Sequence, residues 1–204
     1  MSTLQSVLVT PPASKIWDLA MLKQHLRVQH SAEDDLIGAY ADAAEYQLDG
    51  AGGHLQRALI TQTWRDAWTD VSDIGILRYA PVVSVESVKI LLADGSEHTV
   101  DPADYYVISE PKGHRLHVPR DVMTGLDASL RPDRIRCEYV AGYGATADKV
   151  PTPLLQAHRL LVAHYYENRE AVQHVQAGSF QELPMGVRAL LGPFRRYGVE
   201  AWAQ

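Results

Sequence analysis

The sequence predicts an α+β fold: a small helical bundle made from N- and C-terminal segments, with an inserted antiparallel β-sheet or sandwich. Three observations lead there. Apolar residues recur with helical period from Trp17 to Leu48, with a period of two from about Arg57 to Val140, and with helical period again after Pro151 and Pro153. Short isolated helices are marginal in water, so neither helical part can bury its stripe alone. Segments 14–56 and 151–192 are therefore expected to form one discontinuous helical bundle. Residues 57–147 then make the inserted β domain, and 193–204 a C-terminal arm.

The first helix is predicted from Leu19, Leu22 and Leu26, at i, i+3 and i+7, ending near Val28. Ser31 with Asp34 three residues later resembles a capping box, and Glu33, Asp34 and Asp35 fall where the helix dipole favours negative charge. Leu36, Ile37, Tyr40, Ala41, Ala44 and Leu48 form the stripe of this second helix, which Gly50, Gly52 and Gly53 stop. In Ala58–Trp68, Ile60, Trp64 and Trp68 share one strand face and Thr61, Thr63 and Arg65 the other. Val83–Leu92 is rich in β-branched residues and runs into Asp94-Gly95, a strong hairpin signal. Tyr105–Ile108, Arg115–Val118 and Arg134–Val140 complete the strands, with 121–133 as a loop over the sheet edge. Pro151 and Pro153 suit the first turn of a helix whose face is Leu154, Leu155, His158, Leu161, Val162 and Tyr165. Gln173–Glu182 reads as a loop, and Pro184 opens a short helix through Leu191 that Gly192-Pro193 ends.

Composition narrows the class. The chain has 204 residues, 46% hydrophobic and 22% charged, ordinary for a globular protein. A chain of this length buries roughly 70% of its unfolded surface, so it needs no covalent or metal staple. With 19 Lys+Arg against 25 Asp+Glu the formal charge is −6, which disfavours a protein that coats nucleic acid. A single cysteine, Cys137, excludes an intramolecular disulfide and a cysteine-rich zinc site. No run approaches the ~18 apolar residues of a membrane span, and the start lacks a signal-peptide pattern. A cytoplasmic protein, or a part of a particle assembled there, is expected.

The search for chemistry comes back empty. No phosphate-binding G-x-x-x-x-G-K-[ST] occurs, and Gly142-Tyr143-Gly144 reads as a tight turn. The nine histidines form no metal-ligand spacing: His158 and His164 diverge by about 120° on one helix, and His114 and His117 face opposite sides of a strand. In Ile135–Tyr139 the alternation places Cys137 inward, as a buried structural thiol. No G-x-S-x-G elbow is present. Neither a catalytic centre, a cofactor nor a metal is expected.

A binding role has positive support. Aromatic and arginine residues, the usual anchors of protein interfaces, concentrate near the C-terminus. Tyr166, Arg169, Phe194, Arg195, Arg196, Tyr197 and Trp202 are the candidate interface residues.

Three stretches, in this order, carry a resemblance. They are Leu22-Lys23-Gln24-His25-Leu26-Arg27-Val28 with the acidic Glu33-Asp34-Asp35; Ala58-Leu59-Ile60-Thr61-Gln62-Thr63-Trp64; and Tyr139-Val140-Ala141-Gly142-Tyr143-Gly144 leading through Pro151 and Pro153 into His164-Tyr165-Tyr166-Glu167-Asn168-Arg169-Glu170. Together, over residues 16–192, the chain resembles the head–tail connector (adaptor) family of long-tailed bacteriophages, prophages and gene transfer agents. The resemblance implies a ring, typically dodecameric, beneath the portal protein of a capsid. That ring extends the DNA channel and carries the next head-completion or tail protein, with no catalysis, cofactor or membrane. DNA passes through without sequence-specific binding. It also implies a neck location in a virion or phage-like particle, a ring formed by the helical part, and a C-terminal segment, here Phe194–Gln204, that reaches into the portal.

Two other classes compete. One is a small cytoplasmic enzyme with a scattered His/Asp site, which predicts a deep pocket with a titratable pair. The other is a DNA-binding module using Arg131, Arg134, Arg136, Lys89 and Lys112, which predicts salt-sensitive binding of the isolated protein to DNA.

Overall fold

The computed structural model describes residues 5–50, 53–110, 113–169 and 183–195. The elements are β1 (Gln5–Thr10), α1 (Leu19–Leu26), α2 (Asp34–Leu48), β2 (Gln62–Trp68), β3 (Val82–Leu91), β4 (Glu97–Thr99), β5 (Tyr106–Glu110), β6 (Gly113–His117), β7 (Ile135–Ala141), α3 (Thr152–Glu167) and α4 (Met185–Leu191). The fold is α+β, and the chain divides into two compact units. The helical unit comprises the described parts of Ser14–Ile60 and Gly144–Arg195; the sheet unit comprises the described parts of Met1–Ala13 and Thr61–Tyr143.

In the helical unit Asp18 caps α1, its carboxylate accepting from Met21 N–H at 3.1 Å. Arg27, at φ 60°, ends it, and Val28 N–H reaches back to the Lys23 carbonyl at 2.9 Å. A Lys23–Asp34 ion pair at 2.6 Å then ties α1 to the start of α2. Ile37, Ala41, Ala44 and Leu48 of α2 are buried, as are Leu154, Ala157, Leu161 and Val162 of α3. The small alanines let the two helix backbones approach closely. Leu36, Tyr40, Leu155 and Tyr165 sit at the margin of these stripes, half-buried. Val187 and Leu191 of α4 complete the core.

The capping box expected at Ser31 does not form. Helix α2 starts at Asp34 with Glu33 at the cap position, and no side chain caps it. The carboxylate that such a box needs, that of Asp34, is paired with Lys23 at 2.6 Å, and the Glu33 side chain is taken by Tyr166 and Arg169.

The sheet unit is built on a five-stranded antiparallel sheet in the order β1-β2-β7-β3-β4. Its register pairs Trp64 with Tyr139, Asp66 with Cys137 and Trp68 with Ile135, and continues from β7 to Val85, Val88 and Ile90 of β3. Trp64, Trp68, Val88, Ile90, Ile135, Cys137 and Tyr139 are all buried. On the opposite face Arg65 lies directly across from Glu138 and donates to it from Nε at 2.8 Å. Asp94-Gly95 makes the turn between β3 and β4, with Gly95 at φ 87°. A separate ribbon pairs β5 with β6. Residues 120–133 form a short 3₁₀ turn and a loop that bonds to the end of β3, through Ser129 N–H to the Leu91 carbonyl at 2.9 Å.

Two elements depart from the sequence reading. Strand β1 was not expected, yet it pairs with β2 from Gln5↔Ala67 to Thr10↔Thr63. Strand β2 begins only at Gln62, so Ala58–Ile60 are buried as irregular chain of the helical unit rather than as strand. The expected loop Gln173–Glu182 lies outside the described residues.

Candidate protein-interface site

Tyr166 lies in the last turn of α3, and Arg169 follows two residues beyond the end of the helix. Both close on Glu33. The Tyr166 hydroxyl donates to Glu33 Oε2, and Arg169 donates from a terminal nitrogen to Glu33 Oε1 at 2.7 Å. The guanidinium also lies 4.6 Å from the Tyr166 ring centroid and bonds the Tyr166 carbonyl at 3.2 Å. The hydrogen bonds from Tyr166 and Arg169 hold the Glu33 carboxyl below its ordinary range, and the same bond raises the Tyr166 hydroxyl. Sequence singled out the tyrosine and arginine by type; it missed Glu33 as their partner.

Phe194 and Arg195 follow α4. Phe194 is half-buried and its carbonyl accepts from Arg57 Nε at 2.6 Å, anchoring the end of the described chain. Arg195 is exposed. His54 loses basicity through burial and through the charge of Arg195. The remaining candidates Arg196, Tyr197 and Trp202 lie outside the described residues.

Groups that could support other chemistry are otherwise engaged. Cys137 is buried, and burial pushes its thiol up, away from a reactive thiolate. His158 is buried with Nε2 3.0 Å from the Ala41 carbonyl, so this nitrogen donates, and burial lowers the ring to about 4. It borders a cleft of about 260 Å³ shared with Trp17, Met21, Leu155 and Arg159. Among the described residues no cluster of three or more His, Cys, Asp or Glu could hold a metal ion, and no helix is long and apolar enough to cross a membrane.

The basic residues considered for DNA are paired with carboxylates. Arg131 and Arg136 both bond Asp133, at 2.8 and 2.7 Å, and together hold its carboxyl down to about 2. Arg136 also reaches Glu97, which Lys89 bonds at 2.9 Å, and Arg134 reaches Asp70 at 3.1 Å. A phosphate would have to displace a carboxylate at each of them. Lys112 lies outside the described residues.

No protein-family model and no curated protein matches the chain. Solved structures do. A chain in the virion of a native gene transfer agent (GTA) particle is 26% identical, with a TM-score of 0.71 over 96% of this chain and 97% of that one. A chain in the neck of an empty GTA particle, computed with C6 symmetry, matches with a TM-score of 0.69 at 26% identity, over 97% and 98%. A third, in the neck of a native GTA particle computed with C12 symmetry, gives 0.62 at 26% identity over 98% of each chain. Both units of this protein are therefore similar, over nearly their whole length, to chains found in GTA particle and neck structures.

Proposed function

We propose that this protein is a structural head–tail adaptor of a phage-like particle, without catalytic activity. In this reading it forms a ring, dodecameric in the particle, beneath the portal protein. The ring extends the DNA channel and presents the platform for the next head-completion or tail protein. The observation that carries the proposal is the near-complete structural likeness, at 26% identity, to chains of GTA necks. A likeness spanning both units argues for a shared architecture rather than a shared module.

The helical bundle, 14–56 with 151–192, is assigned to the ring, with 57–147 as the inserted β domain. The arm 193–204 is assigned to the portal, with Tyr166 and Arg169 among the residues that face a partner. A net charge of −6 per copy suits a channel that DNA slides through, since acidic walls repel phosphates.

Electron microscopy of purified particles, with symmetry analysis at the neck, tests this directly. The expected result is a ring of this chain below the portal, absent from particles made without it. Removal of 196–204, which keeps the Phe194 anchor on Arg57, should leave the fold intact and abolish attachment. A particle fraction lacking the protein, with all of it free in the cytoplasm, would overturn the adaptor reading.

A further inference from the structure

Strand order puts β1 and β4 at the two edges of the main sheet. An edge strand presents unpaired N–H and C=O groups, and stable monomers blunt such edges. Strand β4 is blunted: it has three residues, and Glu97 is held by Lys89 and Arg136. Strand β1 is not. Its six residues carry no charge, and Val7, Leu8 and Val9 are 46%, 41% and 40% exposed. The ribbon repeats the pattern. One side of β6 is taken by 75–77, through Leu77 N–H to His114 O at 2.8 Å and Leu116 N–H to Gly75 O at 3.2 Å. Its other neighbour β5 is outermost, with Tyr106, Val107 and Ile108 at 53%, 37% and 40% exposure. Consecutive strand residues point to opposite faces, so exposed apolar side chains stand on both faces of β1 and of β5. Among the described residues nothing pairs with the outer edge of either strand.

We propose that these two edges join successive copies of this chain, β1 of one copy adding as a strand to β5 of the next. The inference rests on the adaptor reading and adds, to the ring assigned to the helical bundle, a second contact between copies through the sheet unit. A rotational ring needs two different, mutually complementary patches on each copy, and the sheet unit carries two such edges. Their lengths match, six residues against five. Each copy has a net charge of −6, so contact is least opposed where both surfaces are uncharged, as along Ser6–Thr10 and Tyr106–Ser109. Backbone hydrogen bonds would supply the affinity, and the exposed apolar side chains the register. A β1–β1 contact would instead close a dimer and leave β5 open.

Paired cysteines in assembled particles test the contact. The native Cys137 is buried, so the background is silent. Cysteine at Val7, Leu8 or Val9 is combined in one chain with cysteine at Tyr106, Val107 or Ile108. After mild oxidation, at least one combination should give a ladder of covalent oligomers that a reductant collapses, while each single variant stays monomeric. Unchanged thermal unfolding of the single variants confirms that the exposed sites tolerate the change. As a second measure, Leu8→Lys or Val107→Lys should lower the number of copies retained per particle severalfold. If microscopy shows the ring but no combination links and both lysine variants assemble normally, the strand contact is wrong and the adaptor reading stands. Links from single variants, or links to a different protein, also overturn the contact. If the chain is missing from the neck altogether, both readings fall.

Discussion

Tyr139 Oη donates to Asp66 Oδ2 across 3.1 Å inside the sheet unit, where both residues are buried. The same carboxylate accepts from Ser6 Oγ at 2.6 Å and from Arg78 N–H at 2.8 Å, and Tyr139 Oη accepts from Tyr79 N–H at 3.1 Å. One buried acid therefore ties β1, β2, β7 and the chain entering β3. Buried polar groups this well partnered fix a unique arrangement rather than add much net stability.

The first prediction concerns that acid and pH. Burial lifts Asp66 from an ordinary 3.8 to about 6, outweighing the lowering by its hydrogen-bond donors. The folded state thus holds the proton more tightly than the unfolded one. There is no penalty below about 4; it builds as pH rises and is complete above about 6, amounting to about 3 kcal/mol. Urea unfolding between pH 4 and 7 should show wild type losing stability with rising pH relative to Asp66→Asn. Parallel curves for the two proteins would refute the assignment.

His158 gives the opposite sign. Its ring is lowered to about 4 from 6.5 by burial, so the fold prefers it neutral. Stability is complete above 6.5 and lost as pH falls through 4, by about 3 kcal/mol. His158→Gln, which keeps a donor for the Ala41 carbonyl, should remove that loss. The measurement is the same unfolding series, extended down to pH 3.5.

Gly142-Tyr143-Gly144 has the sequence of a tight turn, and Gly142 sits at φ 143°. Gly144 itself is needed for close approach: a Cβ there would lie 2.5 Å from Cβ and Cγ of Lys149. Lys149 Cβ is fixed to its backbone, so the chain must move. Gly144→Ala should destabilise by about 1–3 kcal/mol, whereas Gly95→Ala, with open space but φ 87°, costs only backbone strain. Thermal unfolding of the two variants separates these causes.

Arg169→Ala should leave the unfolding midpoint nearly unchanged, because its pair with Glu33 is exposed to solvent. If Tyr166 and Arg169 face a partner, particle incorporation should drop roughly tenfold, as for an interface anchor. Quantifying the protein in purified particles decides; normal incorporation confines the cluster to holding α2 against α3.

The alternation that revealed β2 and β7 was strong because both are central strands with one buried face, marked by Trp64, Trp68, Ile135 and Tyr139. Helix α3 was equally legible, since Pro151 and Pro153 open a clear apolar stripe. Strand β1 was hidden because Val7, Leu8 and Val9 are contiguous and all partly exposed, so no period of two is written there. The burial of Asp66 depends on Ser6, 60 residues away, and an acid in an alternating strand carries no mark of that partner. Likewise Tyr166 and Arg169 were visible by residue type, while Glu33 is reached only across 133 and 136 residues.

The strand order has a consequence for biosynthesis. From first residue to first residue, strand β1 precedes β2 by about 60 residues and β7 by about 130. At ribosomal speeds of 5–20 residues per second, the partner β2 follows roughly 3–12 s later, and the central strand β7 only after roughly 6–26 s. During that interval Val7–Val9 is a bare apolar segment on a nascent chain. On a polysome making this protein, neighbouring nascent chains would expose the same segment side by side, and a holdase chaperone is the natural guard against their premature pairing.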